Sequence, residues 1–564
     1  MNHHTSHPLI RLATWALLAS ATVAAASVTV TITQLTDSRS TSALQYEARD
    51  PDIAKDGSAI VFTANSDVVP GSNPDHLDNL YIMASNGSAL HQLTHATRPT
   101  TPVESTAYYT TSTPPRLSAN GKVVVFASYF DLTGENPPEF FADAGYYLPN
   151  YQIFTINSDG SDLRQLTHGS GGHSIRPRIS DDGQTIAFES TQDLIAGQNS
   201  DHTKEIFVIH ANGTQLTQIT HGVPYPTGRN IRSDDSRNVA LSGDGSTLAF
   251  DSFNDLLPPM NDDWNNEVFL FDLAGYQAQG ATFSTLKQYT TQITNTDVDA
   301  PVHIRAEDAF EPSLSYDGSW IAFSGCINPD GEGVNTPNRT VPGSNPFLAD
   351  VIFIAQRSGG GLRQLTFSDN ANAYTSGSGW RNSDDDAHWP EISAQGDKVV
   401  FSTRSRADLA AGSKKYELAM IDLNAPLNAT GRPVVKQLTF AGTDGSRLRP
   451  SISADAKRIT LHTSSNLSGG NSDLNSEIFL IESQEVLPTT PVIEATPLTP
   501  PDEPDTNPDT IKEENTAPTD NAQNRQETTS GGGGAFGWLE LLLGISACGV
   551  FGRRQYGTPP QAKK

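Results

Sequence analysis

The residues best suited to chemistry recur at one place in the chain. Arg49, Arg176, Arg237, Arg447 and Arg449 each stand just ahead of a short segment that opens, in most copies, with proline, and Glu311, His388 and Trp389 hold the same place in other copies. A guanidinium fork matches a carboxylate or a phosphate, so this set points to an anionic ligand or an acidic peptide. A competing reading ties each arginine to a neighbouring aspartate such as Asp235, Asp308, Asp386 or Asp444, and on residue content alone this reading takes precedence. His388 and Glu311 also offer an acid–base couple, which supports an alternative reading as an enzyme of lyase or glycosidase type with a site formed by these residues.

A second set is rich in side-chain oxygen. The segments "SDVVPGSNPDHLDNLY" and "QDLIAGQNSDHTKEIF" place Asp67, Asn73 and Asp75, and Asp193, Asn199 and Asp201, at matching spacings. Calcium takes six to eight such ligands, which makes these six residues weak calcium candidates. The same residue types also bond backbone amides in turns, with no metal needed. The spacing is not that of an EF-hand, and no cofactor is expected. No Gly-x-Ser-x-Gly elbow and no His-Glu-x-x-His helix motif occurs, so no catalytic residue is assigned.

The elements that must position these residues are repeats. "PDIAKDGSAIVF", "PRLSANGKVVVF", "PRISDDGQTIAF", "VALSGDGSTLAF", "PSLSYDGSWIAF", "PEISAQGDKVVF" and "PSISADAKRITL" begin units, and six later segments such as "RQLT" and "TQIT" end them. The missing seventh end stands before the first beginning, as "VTITQLTD" from Val30 to Asp37. Each unit predicts four strands. A ring of seven units closed by the N-terminal strand accounts for the displaced end and removes the open sheet edge.

The Pro-x-(Ile/Leu)-Ser-x-Asp-Gly pattern, followed by Glu-Ile-Phe and Gln-Leu-Thr, resembles the WD-like β-propeller repeats of the TolB type over residues 28–484. The resemblance implies an all-β, seven-bladed propeller and protein or peptide binding rather than chemistry. TolB's separate N-terminal domain has no counterpart here, so the resemblance names no partner.

Tight Asp-Gly or Asn-Gly turns join strands one to two and three to four. All long loops then fall on the opposite rim, the expected working face, and the insertions Tyr129–Tyr151, Leu273–Gln292 and Cys326–Ala349 are assigned to it. A net charge of -27 argues against nucleic acid and against docking on anionic lipid. Two cysteines, Cys326 and Cys548, give no disulfide framework.

The termini read as export machinery. Residues 1–26 combine histidines and Arg11 with a short apolar run and small residues, a signal peptide cut by signal peptidase after Ala26. Residues 485–530 are rich in Pro, Thr, Asp and Glu and predict a disordered linker. Residues 531–554 hold Gly531, Gly532, Gly533 and Gly534, an apolar run long enough to span a bilayer, and an arginine pair. Residues 555–564 then form a short cytoplasmic tail. The glycines, apolar run and arginines together resemble the GlyGly-CTERM sorting signal. That resemblance implies cleavage near the glycines by a rhomboid-type protease, after a membrane-anchored intermediate, and release to the periplasm or surface of a Gram-negative bacterium. A permanent single-span anchor is the alternative.

Overall fold

The computed structural model describes residues 27–38, 47–97, 113–135, 139–141, 146–148, 150–222, 235–259, 261, 265–280, 282–295, 308–327, 349–368, 386–404, 416–440 and 448–486. Ala26, Arg447, Gly531, Gly532, Gly533 and Gly534 lie outside them, as do nearly all of the linker and the whole apolar tail. Among the described residues no helix is long and apolar enough to cross a membrane. The account below concerns the compact unit Thr29–Gln484.

That unit is a seven-bladed β-propeller. Seven four-stranded sheets follow one another, and in the seventh the N-terminal strand Ser27–Gln34 lies beside Glu477–Val486, with Arg458–Thr463 and Ser451–Ile452 inside it. The ring is therefore closed by the displaced "QLT" segment.

Each repeat motif has a local job. The serine of Ile/Leu-Ser accepts the amide that begins the second strand: Val123 N–H donates to Ser118 Oγ, Thr185 to Ser180 and Trp320 to Ser315. The following aspartate accepts the amide two residues on, as Asp182 Oδ1 does from Gln184. Gly183 then sits at φ +75°, where a side chain would be strained. Serine, aspartate or asparagine, and glycine thus specify the hairpin together in the second to fifth blades, while Ala54, Gln395 and Ala456 replace one of them in the first, sixth and seventh.

These turns also join the blades. Asp56 N–H donates to Ala119 O, Ala119 to Asp181, Asp181 to Gly243, Asp244 to Tyr316, Tyr316 to Ala394, Ala394 to Ala454, and Ala454 back to Lys55. This backbone circuit runs once round the axis on the turn rim and returns to its start. The core lies between sheets: Val268 and Leu270 of the fourth blade pack with Ile321, Phe323 and Phe353 of the fifth. Inside five blades an aromatic pair stacks across strands two and three, as Phe188 on Phe207 at 5.7 Å.

The threonine of Gln-Leu-Thr fastens the outer strand to the third. Its hydroxyl oxygen accepts the amides of Leu80, Ile153, Ile206, Val268, Ile352, Leu418 and Ile478 in turn, the last through Thr36 of the N-terminal strand. In several blades the same hydroxyl donates to a buried carboxylate one residue earlier, as Thr220 does to Glu205. Burial pushes the Glu205 carboxyl up to about 7, against the pull of Thr220, Gly222 and Thr203. The folded value lies above the unfolded one, so the native state keeps a proton that the unfolded chain releases. The stability this contributes is complete below about pH 4.5 and is lost as pH rises through 7. Glu205→Gln, for which Gln152 in the second blade is the built-in precedent, should flatten that slope. The gap at pH 8 should approach about 3 kcal/mol, read from chemical denaturation at pH 5 and pH 8.

One expectation is corrected. Leu273–Gln292 joins strands three and four of its blade, from Glu267–Asp272 to Thr290–Gln292, and so lies on the turn rim rather than the long-loop rim. A short helix Leu273–Ala278 and a 3-10 turn Phe283–Gln288 there replace the Asn-Gly turn of other blades, and Tyr276 and Leu286 bury against the blade.

Candidate functional site

The central channel is built by an irregularity common to the innermost strands. In five blades the register breaks near the start of that strand, for example between the pairs Arg49↔Thr63 and Asp52↔Val61. The residue inside each break has left-handed backbone: Asp50 (φ 53°), Arg176 (52°), Asn238 (53°), Glu311 (57°) and Trp389 (55°). Such a conformation costs on the order of 1–2 kcal/mol for a residue with a side chain. The cost is offset by a hydrogen bond from the strained amide to the preceding blade. Asn238 N–H donates to Glu189 Oε1 at 2.8 Å, Glu311 N–H to Asp251 Oδ1 at 3.2 Å, and Trp389 N–H to Glu311 Oε2 at 3.0 Å. Asp50 N–H donates to His462 Nδ1 at 3.0 Å.

The break resets the alternation of the strand, so the residues on both sides of the proline face the axis. The mouth tier, on the long-loop side, comprises Asp50, Arg176, Asn238, Glu311, Trp389 and Arg449, with Pro114 in the second blade. A lower tier toward the turn rim comprises Asp52, Arg116, Arg178, Ser313, Glu391 and Ser451, with Ala240 in the fourth blade. Arg116, Arg178 and Glu391 line the channel in both tiers. The expected arginines all precede the proline, so they do not include Arg116 and Arg178. Only the position after the proline in "PRLS" and "PRIS" could have signalled them.

The expected arginines divide into two groups. Arg49 pairs with Asp78 at 2.7 Å and Arg237 with Asp251 at 3.0 Å, while the Arg237 guanidinium also lies over the Phe253 ring. These two tie the scaffold. Arg176 stands 3.6 Å from Glu189 and donates to Asn238, but Glu189 is shared with Lys204. Arg116 is held by Asp52 at 2.8 Å. Arg178 and Arg449 have no carboxylate within ion-pair distance among the described residues. Arg178 donates from Nε to Val239 O, and Arg449 lies 3.6 Å over the Trp389 ring. Burial, then repulsion by Arg116, pushes the Arg178 guanidinium down to about 9, and burial with Arg176 pushes Arg449 down to about 10. A guanidinium keeps its proton in a protein, so both stand as buried positive charges without a carboxylate in contact, drawn only at longer range by Glu391 for Arg178 and by Glu311 and Asp50 for Arg449.

His388 and Glu311 meet, with Nδ1 to Oε2 at 3.5 Å, and His388 Nε2 lies 3.3 Å from Asp350. They do so inside the wall. His388 is 1% exposed and Glu311 4%, and the Glu311 carboxylate also accepts Trp389 N–H and Ser324 Oγ. Asp350, Asp386 and His388 come close enough to hold an ion, yet Asp386 also pairs with Arg404 at 3.1 Å.

The oxygen-rich loops fold upon themselves. Asp67 accepts the amides of Gly71, Ser72 and Asn73, and Asp193 those of Gly197 and Asn199. Asn73 and Asn199 donate to the carbonyls of Leu77 and Thr203. Asp201 accepts weakly from Thr203. These oxygens serve backbone donors, so a chelator should leave the melting temperature unchanged within error; a fall on adding EDTA that calcium reverses would show bound metal.

No protein-family profile and no characterised protein matches the sequence. Solved structures of similar chain course include TolB from Acinetobacter baumannii, at 16% identity over 72% of this chain and 78% of that one, with a TM-score of 0.34. An oligogalacturonate lyase from Vibrio parahaemolyticus gives 10% identity over 81% and 96% of the two chains, TM-score 0.41. The β-propeller domain of the Trilobed protease from Pyrococcus furiosus gives 9% over 78% and 98%, TM-score 0.40. No activity passes from any of them to this chain.

Proposed function

We propose that this chain is an exported cell-envelope binding module, without catalysis of its own, that takes an acidic segment of an envelope or extracellular protein at the mouth of its channel. The observation that carries the reading is Arg449, a guanidinium stacked on Trp389 at the mouth with no carboxylate partner among the described residues. Desolvated charge without a partner is costly, and a ligand that supplies the partner gains what the free protein lacks. The lyase or glycosidase reading needs His388 and Glu311 in an open pocket, and both are buried with the carboxylate engaged by the wall.

Export rests on the sequence features of the termini. The closing strand begins at Ser27, so cleavage after Ala26 leaves it whole. In this reading residues 531–554 anchor the protein in the inner membrane until a rhomboid-type protease cuts near Gly531–Gly534, and the mature protein passes to the periplasm or surface. Intact mass spectrometry of the cell-associated protein tests this: a mass ending near the glycines supports processing, and a full-length C-terminus refutes it. Affinity capture from envelope extract tests the binding role. Wild-type protein should retain a partner that Arg449→Gln loses, and equal capture by both would overturn the reading.

A further inference from the structure

The arginines of the channel are paired with each other as well as placed on two levels. Arg176 and Arg449 line the mouth tier alone, and Arg116 and Arg178 line the lower tier and extend into the mouth tier. In each pair one member has a carboxylate at ion-pair distance and the other does not: Arg116 meets Asp52 and Arg176 meets Glu189, whereas Arg178 and Arg449 meet none among the described residues. The acids that share the lining are mostly spent. Asp52 accepts from Arg116, Leu117 N–H and Ser451 Oγ, and Glu311 accepts from Trp389 N–H and Ser324. Glu391 is the acid least engaged, with one bond from Ser313 at 3.3 Å. Asp50 faces the mouth as well.

We propose that the channel receives an elongated anion with two acidic groups, one held at Arg449 and Arg176 in the mouth tier and the second at Arg178 in the lower tier. The tiers lie two residues apart along each inner strand, a reach of at most about 7 Å that the left-handed residue at the break shortens, so the acidic groups stand roughly 5–7 Å apart. A six-carbon dicarboxylate has that span, and so do two glutamates separated by one residue in an extended peptide. Two separately placed guanidiniums discriminate such a ligand from a single carboxylate, because each contributes its own charge-assisted bonds. This inference rests on the proposed binding role of the channel, and it adds the class of ligand.

Titration calorimetry on the full chain at low salt tests it, with adipate, with the peptide acetyl-Glu-Gly-Glu-amide, and with acetate as the single-charge control. Adipate or the peptide should bind at least about tenfold more tightly than acetate, the worth of one charged hydrogen bond. Arg178→Gln and Arg449→Gln should each erase that advantage, and Arg178→Lys should keep part of it. Glu391→Gln should tighten binding, since it removes the acid that opposes the second group. Preference for the peptide assigns the ligand to a protein tail, and preference for adipate to a free metabolite. Equal binding by wild type and Arg178→Gln would overturn the proposal. So would a Glu391→Gln variant that loses stability without gaining affinity, because Arg178 and Glu391 would then be an internal pair. Arg449-dependent capture of an envelope protein with no binding of either probe defeats the two-point site alone. Adipate binding with no captured partner defeats the protein-binding role alone.

Discussion

Deletion of residues 27–38 should unfold the propeller or leave it aggregated, the largest effect expected of any change described. The segment supplies the outermost strand of the seventh blade, beside Glu477–Val486. With it go the bonds from Leu35 N–H to Ile478 O, from Ile478 N–H to Thr36 Oγ1 and from Ser38 N–H to Glu477 Oε1. The packing of Val30 and Ile32 against the seventh-blade core is lost as well. At about 1 kcal/mol per bond and 1–2 kcal/mol per apolar side chain, the total is on the order of 5 kcal/mol, comparable to the whole stability of many domains. A bare strand edge adds a route to association. Size-exclusion chromatography and thermal melting would show it. Grafting the same residues after residue 486 should restore the melt, because the seventh blade requires the strand as a neighbour and not as a beginning. A deletion variant that stays monomeric with an unchanged melt would refute closure through this strand.

Asp251→Ala should cost about 3–5 kcal/mol, the range for breaking a buried charge network by removing one partner. Asp251 is fully buried and accepts from Arg237 Nε, Asn238 Nδ2, Asn266 Nδ2 and the strained amide of Glu311. Burial raises its carboxyl above the usual range despite the arginine. Its removal frees the Glu311 backbone, and through Glu311 the Trp389 amide and the Arg449 stack. Urea denaturation measures the loss. Asp251→Asn, which keeps the acceptor toward Glu311, should cost less than half as much. Equal losses would mean that the charge, and not the amide bond, carries the effect.

Most of the architecture was legible because its causes are local. The Ser-x-Asp-Gly turn is specified by hydrogen bonds within five residues, and Gln-Leu-Thr by one hydroxyl facing one amide. Leu273–Gln292 was misplaced because the length of a loop does not say which pair of strands it joins; its position follows from counting strands in the folded blade. His388 and Glu311 hold neighbouring places at the starts of successive repeats, which marks them as a candidate couple in sequence, but that spacing says nothing of their burial.

The sequence alone determined the seven units, the four strands of each, and the return of the N-terminal strand to the last blade. These follow from periodicity and from the need to leave no open edge. The tertiary structure decided which charges remain to be matched. Arg49, Arg237 and Arg449 look alike in sequence, each a few residues from an aspartate or a proline. Arg49 and Arg237 end on carboxylates of their own blade, and Arg449 ends on the face of Trp389. Arg178 gained its place on the axis only through the break in strand register before it. Whether a guanidinium meets a carboxylate depends on distances within a folded blade and between neighbouring blades, and those distances exist only in the assembled ring.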